Sequence, residues 1–166
     1  MKPVVFVSPT ESWIPRGTDR RGCGDYGASR KRVEGDRVRR YAHRGLDLYA
    51  DPGRPIVSPT ICEVNRHIRV YSDTAHYTGL ELEAPWCRIK LLYVSFEPDA
   101  VPLGKELNAG EHIGLAQDIR GRYPGITPHV HLEFVSIDPQ AVWEASGLVR
   151  RVENLCAFLR DPGAKQ

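Results

Sequence analysis

From residue 43 onward, apolar and polar positions alternate in short runs broken by turn residues. Leu46-Asp47-Leu48-Tyr49 has this two-residue period and is followed by Asp51-Pro52-Gly53, a turn signal. Pro55 to Val57, Ile61 to Val64, Ile68 to Tyr71, Leu80 to Glu83, Ile89 to Val94, Glu111 to Leu115 and His129 to Phe134 also read as strands. Val4 to Val7 reads as an opening strand. Residues 9–40 show no period and are expected to be irregular. Near the end the period changes. Asp138-Pro139 reads as a helix start, and Leu148, Val152, Leu155, Cys156 and Leu159 recur at helical spacing until Asp161-Pro162-Gly163. The pattern predicts a mainly β domain, an antiparallel sheet or sandwich with a closing C-terminal helix. Its expected organisation is a basic, irregular segment 1–42 packed on a core 43–140, then a helical extension 141–166.

The chain has 166 residues, enough for one domain with a substantial core. Its 15 glycines and 13 prolines fit many turns between short strands. The net charge of +2 is too small to imply nucleic acid. The charge is uneven, though. Between Arg16 and Arg44 ten basic side chains face Asp19, Asp25, Glu34 and Asp36. Such a run is ordinarily a solvated loop, and its functional reading is attraction to an acidic polymer. A nucleic-acid-binding β domain is the weakest reading and is not expected. No stretch approaches the roughly 18 apolar residues of a membrane span, and Val4 to Val7 is too short for an export signal. Cys23, Cys62, Cys87 and Cys156 form no C-x-x-C pair, which argues against a zinc knuckle. Free thiols are expected, with a Cys62–Cys87 bridge conceivable on neighbouring strands.

Two clusters carry candidate chemistry. On a strand, His129, His131 and Glu133 share one face while Val130, Leu132 and Phe134 turn to a core. Two imidazoles then lie about 6–7 Å apart along the strand. Read as a strand, His43 and Asp47 also share a face. Imidazole and carboxylate together suit zinc, and three protein ligands with an open fourth position make a catalytic pattern. Taken singly, H-x-H is common on solvated strand faces, and a hydrogen-bonded pair would explain H-x-x-x-D.

In combination and order, these segments resemble the M23 (lysostaphin/LytM-type) peptidases. His43-Arg44-Gly45-Leu46-Asp47-Leu48 followed by Gly53-Arg54-Pro55-Ile56-Val57-Ser58 is similar to that family's H-x-G-[IL]-D-[IL] block and next strand. Ala109 to Gly114 resembles its turn and strand, and Thr127 to Phe134 its histidine signature, with Asp138-Pro139 after it. Gly24 to Arg30 resembles its entry loop.

The resemblance implies that His43, Asp47 and His131 ligate Zn2+ and that His129 is the catalytic histidine beside them. The implied substrate is a peptide stem or cross-bridge of peptidoglycan, and the implied place of action is the cell wall or periplasm. With no signal peptide visible, delivery by lysis, by a dedicated secretion route or after leader removal is expected. A monomer is expected. In one place the sequence departs from the family pattern. Where the family carries a further histidine, Leu92-Tyr93-Val94-Ser95-Phe96 offers Ser95. Ser95 and Tyr93 are the candidate oxyanion or substrate contacts, and His67, His76 and His112 are the histidines able to substitute. A serine is a poor base at neutral pH. The alternative function is therefore a non-catalytic metal-binding scaffold or regulator of wall hydrolysis. Segment 1–42 offers Asp19, Cys23, Asp25 and Asp36 as ligands able to block the site.

Overall fold

The computed structural model describes residues 6–85 and 87–137. The expected closing helix lies outside them, as do Cys156 and the Asp138-Pro139 pair. Thirteen strands make up the described chain, all paired antiparallel, and none of the described residues is helical. The expected antiparallel β fold is the observed one.

The main sheet has six strands in the order β11 (Glu106–Leu107), β7 (Cys62–Tyr71), β8 (Thr74–Ala84), β9 (Cys87–Leu92), β13 (His129–Ile137) and β5 (Leu46–Tyr49). A second sheet runs β10 (Val94–Ser95), β12 (His112–Ala116), β6 (Pro55–Val57). Two separate hairpins precede them, β1 (Thr18–Asp19) with β2 (Gly22–Cys23) and β3 (Ser29–Glu34) with β4 (Arg37–Ala42).

Alternation does what the sequence predicts. Leu46 and Leu48, Val130 and Leu132, Ile89 and Leu91, and Leu80 and Leu82 all point to one side of the main sheet and are fully buried. They meet Ile56, Val94, Ile113 and Leu107 from the surrounding strands. Each such aliphatic side chain gains about 1.5–3 kcal/mol from leaving water. The opposite face of β13 therefore carries the polar residues His129, His131 and Glu133.

Some details differ from the expectation. The expected strands Ile61 to Val64 and Ile68 to Tyr71 are one strand that begins at Cys62, because polar Asn65-Arg66-His67 continues the ladder to β8 through a bulge. Ile89 to Val94 splits at Tyr93, whose φ of 68° breaks the ladder between β9 and β10. A left-handed non-glycine backbone is costly, by about 1–3 kcal/mol, and such sites gather near function. Phe6 and Val7 lie in no strand, and the rest of that expected strand lies outside the described residues. The stretch expected to be irregular holds the two hairpins. Cys23, Cys62 and Cys87 are free thiols.

Candidate metal centre

The site forms where β13 runs beside β5. The register places His131 opposite Asp47, with Leu132 opposite Leu46 and Val130 opposite Leu48. Burying those leucines fixes which way Asp47 points. It is 3% exposed, on the polar face. His43 does not share a strand with it, since β4 ends at Ala42 and β5 begins at Leu46. The chain bends at Gly45 instead. A Cβ on Gly45 would lie 2.4 Å from the Leu132 carbonyl oxygen and 2.5 Å from His131 Cε1, so the bend needs a residue without one. The bend brings His43 Nε2 to 3.0 Å from His131 Nδ1 and 3.2 Å from Asp47 Oδ1. His131 Nδ1 lies 2.9 Å from that same Oδ1.

Three donor atoms thus converge, and among the described residues His43, Asp47 and His131 form the one group able to hold a metal. Donor separations near 3 Å suit a tetrahedral zinc, whose bonds of about 2.0–2.1 Å place its ligands roughly 3.3 Å apart. The surrounding hydrogen bonds suit it too. His43 Nδ1 donates to the Asp25 carbonyl at 2.9 Å, which turns Nε2 inward. His131 Nε2 faces Glu133 Oε2 at 3.7 Å. Asp47 Oδ2 accepts from Arg16 Nε at 2.9 Å and Arg30 Nη2 at 3.3 Å, leaving Oδ1 for the centre. The residues present fit zinc.

Charges around the site are strongly coupled. Burial would raise the Asp47 carboxyl, yet hydrogen bonds from His131 and His43 hold it well below the ordinary carboxylate range. Burial likewise opposes charge on His131, but Asp47 and Glu133 outweigh it and raise the imidazole to about 9. His129 goes the other way. Its burial dominates the attraction of Asp47 and lowers it to about 4. His129 Nδ1 donates to the Thr127 carbonyl at 2.7 Å, and Nε2 sits 3.6 Å from Asp47 Oδ1. It is a neutral imidazole with an accepting nitrogen turned to the centre.

These residues form the floor of a cleft of about 670 Å³. Tyr93 lines it and sets its ring edge-on to His129, with centroids 5.6 Å apart. The Tyr93 hydroxyl shares hydrogen bonds with Tyr71, and Tyr71 with Tyr123, at 2.7 and 2.8 Å. Ser95 is not among the lining residues. It is exposed on β10 and donates to the Leu115 carbonyl at 3.2 Å. His67 contacts the Val101 carbonyl, and neither it nor His76 or His112 lines the cleft. Segment 1–42 supplies no further ligand among the described residues: Asp19 holds Arg16 and the Thr127 N–H.

Sequence reasoning passed over Arg16, which appears there only as part of a basic run. Its side chain is 2% exposed and reaches Asp47 across 31 positions. Gly24 makes room for it, since a Cβ there would lie 2.5 Å from Arg16 Cγ. Tyr71 and Tyr123 were passed over too, because hydroxyl chains between distant segments leave no local pattern.

No family model matches the chain. Similar curated proteins are Myeloid protein 1 of Gallus gallus, 27% identical over 119 residues, and Leukocyte cell-derived chemotaxin-2 of Bos taurus and Mus musculus, 23% and 27% identical over 129 and 128 residues. These alignments cover 71%, 77% and 76% of this chain. The chain spans 34% of the length of the first and 78% and 77% of the other two. Among solved structures, LytU is 16% identical, with a TM-score of 0.49, covering 87% of this chain and 92% of that one. Lysostaphin is 16% identical with a TM-score of 0.46, covering 81% of this chain and 51% of that one.

Proposed function

We propose that this chain is a zinc metalloendopeptidase acting on peptide stems or cross-bridges of peptidoglycan, outside the cytoplasm. The observation that carries this reading is the convergence of His43 Nε2, Asp47 Oδ1 and His131 Nδ1 beneath an open cleft, with neutral His129 beside them. The resemblance of the two histidine blocks to the M23 pattern supports the substrate class.

His43, Asp47 and His131 would hold the ion. Zinc supplies a Lewis acid for the scissile carbonyl and a water that ionises near neutral pH. His129 accepts a proton at Nε2 while its Nδ1–H stays fixed on Thr127. Burial keeps the ring unprotonated across the neutral range, and Tyr93 packs edge-on against it. Arg16 and Arg30 orient the Asp47 carboxylate. The test is a digest of purified cross-linked peptidoglycan, with fragments identified by mass spectrometry and His131→Ala as the blank. New amine and carboxyl ends from the unaltered chain alone would establish hydrolysis and name the bond.

A second reading has its own support. Ser95 stands where the family pattern has another histidine, and it is not among the residues lining the cleft. Loss of one such group commonly costs about 10²–10³ in rate. Two of the similar proteins bear the name chemotaxin. A zinc-loaded chain that releases no fragments would be a non-catalytic metal-binding scaffold or regulator.

A further inference from the structure

Between β9 and β10 the chain turns at Tyr93 with a φ of 68°. Glycine takes that conformation at little cost, whereas a bulky residue in it is an outlier. The turn is held from both sides. Tyr93 N–H donates to the Thr78 carbonyl at 2.8 Å, and the Tyr93 carbonyl accepts from Gln117 N–H at 2.9 Å. The two holders are themselves joined, since Gln117 Oε1 accepts from Thr78 N–H at 2.9 Å. Thr78 Oγ1 also donates to the Val94 carbonyl at 2.7 Å. A turn braced this firmly around an ill-suited residue points to a use for its side chain. The turn makes Tyr93 a lining residue of the cleft, beside His129. Ser95, two positions on, lies outside the lining and gives its hydroxyl proton to the Leu115 carbonyl.

Three tyrosine hydroxyls meet here. That of Tyr71 lies 2.7 Å from Tyr93 Oη and 2.8 Å from Tyr123 Oη. Each hydroxyl carries one proton and rotates about its C–O bond. Three protons serve two hydrogen bonds, so one proton is left unspent. Tyr93 and Tyr123 line the cleft, and Tyr71 does not. An oxygen acceptor placed beside Tyr93 selects one arrangement, in which Tyr123 donates to Tyr71, Tyr71 to Tyr93, and Tyr93 to the acceptor. The surroundings suit such a relay. The Arg122 guanidinium, paired with Asp73, stands 3.8 Å from the centre of the Tyr71 ring, and a cation over the ring makes its hydroxyl a better donor. Hydrogen bonds in a chain strengthen one another, by about 10–30% per bond. Buried Tyr77 sets its ring edge-on to both Tyr71 and Tyr93 and keeps them apart. Burial also keeps the Tyr93 hydroxyl in its protonated, donating form.

We propose that Tyr93 touches the bound peptide, its hydroxyl donating a hydrogen bond to the carbonyl oxygen under attack beside His129, with Tyr71 as the residue that positions it. A donor aimed at such an oxygen is worth more once the oxygen becomes anionic, so the contact favours the tetrahedral stage over the bound peptide. The contact rests on the proposed function in taking the ligand to be a peptide.

The test is calorimetric titration of the zinc-loaded full chain with two probes, tetra-alanine and its phosphinate, in which a tetrahedral phosphorus with an anionic oxygen replaces the central peptide carbonyl. Tyr93→Phe keeps the ring against His129 and removes only the hydroxyl. It is expected to lose at least about tenfold in phosphinate affinity but about threefold or less for tetra-alanine, with one zinc per chain retained. Tyr71→Phe leaves the Tyr93 hydroxyl in place and is expected to lose about threefold for the phosphinate. In the unaltered chain carrying ¹³C-labelled tyrosine, phosphinate binding is expected to move the Cζ signal of Tyr93. An equal loss for both probes, an unchanged phosphinate affinity in Tyr93→Phe, or a Cζ spectrum that the phosphinate does not move would overturn the proposal. The last of these needs no variant. Phosphinate binding that depends on Tyr93, in a chain that releases no fragments from peptidoglycan, would leave the contact standing and count against the hydrolase. Hydrolysis of peptidoglycan by a chain whose phosphinate affinity ignores Tyr93→Phe would do the reverse.

Discussion

Asp47 and His131 face each other in register across β5 and β13, and the pairing sets Oδ1 of one 2.9 Å from Nδ1 of the other. The carboxylate's second oxygen is held by Arg16, whose side chain is 2% exposed. Asp47 therefore both joins the His43–His131 cluster and neutralises a buried cation. Asp47→Ala should lose zinc and also destabilise the metal-free protein by about 3 kcal/mol or more, because Arg16 is left short of charge. Asp47→Asn should lose zinc with a smaller penalty. Urea melts in the presence of a chelator measure both. Equal stability of the alanine variant and the parent would mean that Asp19 alone satisfies Arg16.

Gly45 should be as sensitive as the ligands. A methyl group there meets the Leu132 carbonyl oxygen and the His131 ring, so Gly45→Ala must move one of them. The expected result is a loss of about 1–3 kcal/mol in stability and of at least about tenfold in zinc affinity. Competition with a chromogenic chelator gives the affinity. A variant that binds zinc like the parent would show that the bend is not needed for the donor geometry.

Zinc affinity should rise with pH. The folded-state value for His131 is raised to about 9, so without metal the ring keeps its proton at neutral pH and the ion must displace it. Affinity should climb through the neutral range and level off above about 9. Without metal, the stability contributed by the protonated ring is full below the unfolded value of about 6.5 and is lost as pH rises through about 9. His129, lowered to about 4, stays neutral throughout this window. Chelator competition between pH 6 and 9.5 should show close to one proton released per zinc around neutrality. A flat profile would contradict the charged His131.

His129→Ala should separate binding from chemistry. It removes no metal donor, so zinc content should stay at one per chain. Peptidoglycan hydrolysis should fall by about 10²–10⁴, the usual worth of a positioned acid or base. Loss of zinc together with activity would make His129 a ligand.

Tyr71→Phe should cost about 1–2 kcal/mol, because its hydroxyl joins Tyr93 to Tyr123 inside the cleft wall. Thermal melts of the zinc-loaded protein measure this. No shift would show that water replaces the hydroxyl.

The convergence of Asp47 and His131 was legible because alternation is simple physics. Leu46 and Leu48 must be buried, so Asp47 must face the other way, and Val130 and Leu132 impose the same on His131. The placement of His43 was right in outcome but not in route, since parity along a strand predicted what a bend at Gly45 delivers. The hairpins of residues 18–42 were not legible. Their strands carry almost no apolar residues, and arginines on both faces look like a solvated loop. Arg16 could not be found either, since its partner is 31 positions away and nothing local distinguishes it from Arg20 or Arg21. Tyr93 hid a left-handed backbone that no residue preference would have suggested.

β5 forms one edge of the main sheet, and it meets β13 only after the chain between them has been laid down, since His131 follows Asp47 by 84 positions. No fragment ending before β13 contains a chelating set. An ion bound there would act as a clasp that closes one of the longest loops in the molecule and pins its outermost strand. Closing so long a loop is entropically costly for the open chain, so the clasp weighs most heavily against unfolding. The centre would thus report whether the chain has been made and assembled through β13, and a chain cut short of that strand would have no centre at all.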